Sequence, residues 1–74
     1  MARPGQVKAR ELLRILERAG FVVVRVHGSH RLLRHRSGRT LLFAIHDRES
    51  VGPKLLSRIL KDAGLTLDVF ERLR

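Results

Sequence analysis

Cysteine is absent from this 74-residue sequence, so neither disulfide bonds nor thiolate metal sites can supplement its core. Tryptophan and tyrosine are absent too, and three phenylalanines are too few for a platform on which single-stranded bases would stack. The longest apolar run, residues 41–45, is far shorter than the roughly 20 residues that span a bilayer. No apolar stretch follows the first residues as in a secretory signal, so we expect a cytoplasmic protein.

Acidic residues are also scarce, with seven Asp+Glu against sixteen Lys+Arg and a net charge of +9. Only Lys8, Lys54 and Lys61 are lysines, so thirteen of the sixteen cations are arginines. The planar guanidinium group suits phosphate and carboxylate, and the charge therefore predicts a polyanionic partner. The 43% apolar fraction is ordinary for a folded domain, so the charge does not indicate disorder.

The length allows one small domain, which we assign to residues 7–74, preceded by a flexible tail over residues 1–6. Apolar residues at three- and four-residue steps predict an amphipathic first helix over residues 7–19. A second helix should begin near Pro53, because proline is favoured at the first helical position, and should end at Gly64. Thr66 is the expected N-cap of a short third helix.

Between the first two helices, β-branched and aromatic residues predict strands over residues 21–26, 30–35 and 40–45. Residues 27–29 read as a turn, and residues 36–39 as a hairpin loop. The predicted fold class is α+β in the order α-β-β-β-α, with a short helix at the end. Its most economical packing is a three-stranded antiparallel meander with both helices on one face. The other face would then be open to solvent or to a partner.

The predicted sheet lies in a part of the chain that has no acidic residue. From residue 18 to residue 46 there are six arginines and neither aspartate nor glutamate. These arginines are Arg18, Arg25, Arg31, Arg34, Arg36 and Arg39. Basic clusters are often only solvated surface, but three strands without one carboxylate favour a surface that binds polyphosphate.

All four histidines fall inside this basic span. A metal site is disfavoured, because no cysteine exists and the neighbouring arginines would repel a cation. We interpret His27 and His35 as solvent-facing polar positions on strands. His30 differs, because it directly follows the bend at Gly28 and Ser29, where backbone N–H groups can be exposed.

Arg31 is adjacent to His30 in sequence, and Arg25 lies across the turn. Cleavage of RNA without a metal needs a group that takes the proton of the 2′-hydroxyl, one that protonates the leaving 5′-oxygen, and cations for the phosphorane. Imidazole titrates near neutral pH and can play either proton role, while arginine supplies charge. If the chain is an enzyme, His30 is therefore the best catalytic candidate, with His46 as a possible second proton carrier.

Taken together, these residues resemble the HicA-type (YcfA-like) mRNA interferase toxins, over nearly the whole chain from Lys8 to Phe70. The resemblance rests on the Gly-Ser-His sequence at residues 28–30, on a third strand that ends in His46, and on the Ala-Gly end of the second helix. Further matching residues are Arg34, His35, Gly38, Arg39, Gly52, Ile59, Leu60 and Phe70.

The resemblance implies a fold like the double-stranded-RNA-binding domain and a metal-independent endoribonuclease activity on mRNA, with no cofactor. His30 matches the catalytic histidine of the family. The implied partner is an antitoxin of the HicB type that binds the toxin and blocks its active site. We expect RNA contacts at Arg25, Ser29 and Arg31, and at Lys54, where a helix N-terminus can hold a phosphate.

Two other functions remain open from the sequence. The chain could be a non-catalytic RNA-binding module of the same fold, which would use Lys54, Arg58 and Lys61 on the second helix. Alternatively, the basic surface could engage only an acidic protein, with residues 41–45 pairing with an edge of that protein.

Overall fold

The computed structural model describes residues 7–74, and the predicted tail at residues 1–6 lies outside the described residues. Five strands and three helices follow one another along this part of the chain. Their bounds are β1 Val7–Lys8, α1 Ala9–Arg18, β2 Phe21–His27, β3 His30–His35, β4 Thr40–Phe43, β5 Ser50–Val51, α2 Pro53–Ala63 and α3 Leu67–Leu73.

Strands β2, β3 and β4 form the predicted antiparallel meander, in the order β2-β3-β4. Helices α1 and α2 pack on one face of this sheet, so the predicted α+β class and its layer order are confirmed. The core lies between the helices and the sheet. Its buried side chains are Val7, Ala9, Leu12, Ile15, Leu16, Phe21, Leu33, Leu41, Phe43, Val51, Leu56, Ile59, Leu60, Ala63 and Phe70.

A second, two-stranded sheet was not predicted. Val7 pairs with Val51, and Lys8 pairs with Ser50, in an antiparallel ladder. The first helix therefore begins at Ala9, two residues later than predicted, because both valines are buried in the core when they pair as strands. The loop before β5 also caps this helix, since Glu49 and Asp47 accept hydrogen bonds from the first backbone N–H groups of α1 at 2.8 and 3.2 Å.

The third strand of the meander is shorter than predicted, because β4 ends at Phe43 rather than at residue 45. The chain leaves the sheet after Phe43 and forms a turn, in which the backbone N–H of His46 donates to Glu49 Oε1 at 2.9 Å. The pairing of β3 with β4 ends at Phe43. Residues 44 and 45, which were predicted as strand, therefore belong to the loop that leads to β5.

Helix α2 ends and helix α3 begins at the predicted capping residues. Gly64 adopts a left-handed φ of +73°, and the backbone N–H groups of Gly64 and Leu65 donate to the carbonyls of Lys61 and Leu60. This pair of bonds is the Schellman arrangement that satisfies the end of a helix. Thr66 caps α3 through Oγ1, which accepts from the Val69 N–H at 3.2 Å.

Helix α3 is tied to α1 by polar contacts. Arg18 Nη1 donates to the Leu73 carbonyl at 2.7 Å, and Arg74 Nε lies 3.1 Å from Glu11 Oε2. Phe70 of α3 is fully buried, so this helix packs against the core. Within the described part of the chain, no helix has the length and apolar character needed to cross a membrane.

Candidate functional site

The predicted bend at residues 28–29 is a two-residue β-hairpin turn. Gly28 has a φ of +63°, whereas Ser29 does not have a positive φ. A positive φ at only the first central residue is the pattern of a type II′ turn, which favours glycine at that position. Because the loop has two residues, His27 and His30 are direct cross-strand partners at the end of the β2–β3 ladder.

The side chain of His30 lies on the sheet face that the helices leave open. Leu33 is fully buried beneath the helices, and successive side chains of a strand point to opposite faces. His30, Leu32 and Arg34 therefore share the opposite face of β3. His30 is exposed, in agreement with this assignment.

A β-bulge in β2 places Arg25 and His27 on the same face as His30. Val23 pairs with Leu33 on the covered face, but Arg25 pairs with Leu32 on the open face, so Val24 is an extra residue between them. Without the bulge, strict alternation would put Arg25 on the same face as Val23. A bulge thus changes the face of the sheet to which the following side chains point. Both imidazoles and one guanidinium group therefore lie on the open face, toward the end that carries the turn.

We define the open face by the residues of the three strands that point away from the helices. These are Val22, Arg25 and His27 of β2, His30, Leu32 and Arg34 of β3, and Thr40 and Leu42 of β4. It carries two guanidinium groups and two imidazoles without a carboxylate, around apolar side chains such as Leu42, which is 59% exposed. Its charge and its access therefore suit an anionic polymer.

Other predicted site residues lie around a cavity beside the turn. Arg31 points to the covered face, and its Nη1 lies 3.1 Å from Asp47 Oδ1. Ser29 and Arg31 form one wall of a cavity of about 470 Å³, and the loop residues 45–48, including His46, form the other wall. His30 does not line this cavity. The structure thus places Arg25 on the same face as His30, and it groups Ser29, Arg31 and His46 around a cavity that His30 does not line.

Lys54 is exposed in the first turn of α2, whose N-cap, Gly52, has no side-chain hydrogen bond to the helix. Proline at the first helical position contributes no donor there, so the backbone N–H groups of Lys54 and Leu55 are the donors of this turn. Lys54 shares neither the open face nor the cavity walls.

His35 is only partly exposed and does not simply face solvent as predicted. Its ring packs against Phe21 with 5.3 Å between ring centroids, and its Nδ1 lies 2.9 Å from Ser37 Oγ in the next turn. A Cβ atom at Gly20 would lie 2.9 Å from Nε2 of the same ring. The imidazole therefore fills the space where the end of α1 meets the β3–β4 loop, on the opposite face of the strand from His30.

Sequence reasoning missed His27 as a member of the site. The signal was present in the two-residue spacing between the histidines, because a two-residue loop makes its flanking residues direct partners. The bulge at Val24 was not visible in the sequence, and alternation from Phe21 alone would have put His27 on the covered face. Among residues 7–74, no three His, Cys, Asp or Glu side chains converge as metal ligands would.

Comparison with known proteins matches the chain to a protein family. A family model described as the HicA toxin of bacterial toxin-antitoxin systems matches residues 9–65, which include all of α1, the whole meander and all of α2. No curated protein matches the chain. The matched segment contains the hairpin turn, both of its histidines and the bulged strand.

Proposed function

The chain belongs to the HicA toxin family of bacterial toxin–antitoxin systems, and we propose that it is an endoribonuclease that cleaves mRNA without a metal ion. The observation that carries this proposal is the exposed His30 imidazole on an open face that bears arginines and no carboxylate. Such a face attracts the phosphate backbone of RNA, and an imidazole can transfer protons near neutral pH.

His30 acts in this proposal as a general acid or a general base. The 2′-hydroxyl of the RNA attacks the adjacent phosphorus, and the bond from phosphorus to the 5′-oxygen breaks. Arg25 is directly opposite Leu32, the open-face neighbour of His30 on β3, so its guanidinium group is suited to the charge of the phosphorane. Proton transfer by a positioned side chain contributes about 10²–10⁴-fold to a rate.

The remaining predicted contacts would hold the RNA beyond the reacting phosphate. Ser29 and Arg31 line the cavity beside the turn, where Asp47 forms an ion pair with the arginine. Lys54 offers a charge at the start of α2. We propose that these three residues bind RNA phosphates, since phosphate contacts position a nucleic acid without reading its sequence.

As a member of a toxin–antitoxin family, the chain acts with an antitoxin. We propose that this partner is of the HicB type, that it covers the open face, and that the two proteins meet in the cytoplasm. An acidic surface on the antitoxin would complement Arg25 and Arg34, and such charges mainly speed association. The apolar side chains of Leu32 and Leu42 would be buried in the same contact.

The test is incubation of the purified chain with a 5′-labelled mRNA in EDTA. We expect rapid formation of RNA fragments by the wild type and cleavage about 10²–10⁴-fold slower by His30→Ala. His35→Gln, which removes an imidazole from the other face, should cleave like the wild type. An RNA that is bound but stays intact would support a non-catalytic RNA-binding module instead.

Salt dependence separates both RNA functions from an adaptor that binds only acidic protein. Binding to RNA should weaken steeply as salt rises, because each neutralised phosphate releases counterions. If the chain shows no salt-sensitive affinity for RNA and cleaves none, the open face serves a protein partner alone.

A further inference from the structure

We propose that His27 is the second proton-transfer group of the reaction and forms an acid–base pair with His30. This inference rests on the proposed function, because it assigns a role within the same RNA cleavage. It replaces the expectation that His46 carries the second proton, which was based only on the position of His46 near the end of the third strand.

The hairpin brings these two imidazoles together. His27 and His30 are direct partners across the two-residue turn, and Cβ atoms of directly opposite residues lie about 4.5–5.5 Å apart. Both residues are exposed, and both lie on the open face. His27 does so because the extra residue Val24 shifts the alternation of side chains along β2. Two rings on neighbouring strands can therefore approach one phosphodiester from its two sides.

The two other histidines do not have this position. His46 lies in the loop after β4, outside the three strands of the open face, and lines a cavity with Arg31 that His30 does not line. His35 is held against Phe21 on the covered face. Of the four imidazoles in the chain, only that of His27 shares the open face with His30.

Two imidazoles and the RNA itself are enough to balance the reaction. A neutral imidazole takes the proton of the 2′-hydroxyl as the 2′-oxygen forms its bond to phosphorus. A protonated imidazole gives its proton to the 5′-oxygen as the bond between that oxygen and phosphorus breaks. The products are a 2′,3′-cyclic phosphate and a 5′-hydroxyl, and the two rings have exchanged their protonation states.

The charged groups that share the open face with this pair are cationic. Arg25 on β2 and Arg34 on β3 share the open face, while β4 contributes only Thr40 and Leu42. The neighbouring Arg31 points to the covered face and pairs with Asp47. The arginines on the open face can stabilise the dianionic phosphorane, and no carboxylate of the described strands competes with the RNA for them.

The experiment measures single-turnover cleavage of one mRNA in EDTA between pH 5 and 9 for the wild type, His27→Ala, His30→Ala and the double variant. Each single variant should lose about 10²–10⁴ in rate, and the double variant should be little slower than the worse single variant, because groups that act as a unit are not additive. The wild-type profile should be bell-shaped, and each single variant should lose one limb.

A structural role for His27 would not change the pH profile in this way. Circular dichroism and RNA affinity check that His27→Ala folds and binds, and His27→Gln provides a second variant with a polar side chain of similar length. An RNA with sulfur in place of the bridging 5′-oxygen at the mapped cleavage site needs no general acid. It should therefore restore the rate of the variant that lacks the acid and leave the other variant slow.

The outcomes separate this inference from the function on which it rests. If His27→Ala cleaves with wild-type rate and profile while His30→Ala is inactive, the pairing is refuted and the endoribonuclease function stands. Loss of activity in His46→Ala together with an active His27→Ala would assign the second proton to His46. If the wild type itself leaves RNA intact, the proposed function fails and the pairing fails with it.

Discussion

Two adjacent leucines in β3 provide a test of which face of the sheet is covered. Leu33 is fully buried, whereas Leu32 is half-buried on the open face beside His30. Leu33→Ala and Leu32→Ala remove the same atoms from the same strand, so changes in strand propensity largely cancel between them. The difference between the two variants therefore measures the burial that separates the two faces.

The expected magnitudes are well separated. Removing a fully buried leucine side chain costs about 3 kcal/mol or more, since it leaves a cavity as well as losing transfer free energy. Leu32→Ala should cost about 1 kcal/mol, because part of its side chain is already in water and its loss leaves no enclosed cavity between the sheet and the helices. A domain of this length has a total stability of roughly 4–11 kcal/mol, so Leu33→Ala should remove a large part of it.

Urea unfolding followed by far-ultraviolet circular dichroism measures both variants, because the chain has no tryptophan or tyrosine to report by fluorescence. For a domain of this size each kcal/mol lowers the melting temperature by about 4–8 °C, so the expected loss for Leu33→Ala exceeds roughly 12 °C. Equal losses, or a larger loss for Leu32→Ala, would refute the face assignment and with it the exposure of His30.

Two further predictions concern the turns and caps. Gly20→Ala should lower the midpoint of urea unfolding more than Gly38→Ala, since both positions have a positive φ but only at Gly20 would the new Cβ lie 2.9 Å from His35 Nε2. The double variant Gly20→Ala/His35→Ala should show a smaller loss than the sum of its singles, and strict additivity would refute the clash. Thr66→Ala should cost about 1 kcal/mol, because Oγ1 caps α3, while Thr66→Ser should be nearly neutral; an equal loss for both would contradict this capping role.

Local sequence signals predicted most of the fold. Glycine after the apolar stripe marked the end of α2, proline marked its start, and Thr66 marked the start of α3. These features act within a few residues of chain, so they can be read without knowing the tertiary structure. The meander followed from short loops, which leave antiparallel pairing as the simplest arrangement of three consecutive strands.

Features that depend on distant pairing were missed. The β1–β5 sheet joins Val7 to Val51, and nothing local to residue 7 distinguishes such a strand from the first turn of a helix. The loop after Phe43 is similar, because its residues 44 and 45 are as apolar as those of a strand, yet the chain turns away to cap α1. Tertiary contacts decide both cases.

Only part of the candidate site could be predicted, because the rest also depends on tertiary contacts. The turn and the exposure of His30 follow from residues 28–30, and Arg25 was expected across that turn. The face on which Arg25 and His27 lie depends on the bulge at Val24, which is a property of the strand pair rather than of one strand. One inserted residue therefore determines whether the site has one imidazole or two.

The most direct test of the account is the single-turnover rate of RNA cleavage by His30→Ala in EDTA, measured at saturating protein beside the wild type. The account predicts a rate about 10²–10⁴-fold lower, with RNA affinity and the urea midpoint unchanged, because an exposed imidazole is removed from an open face. Equal rates for the two proteins would contradict it, and so would a lower rate that is fully explained by lost RNA binding.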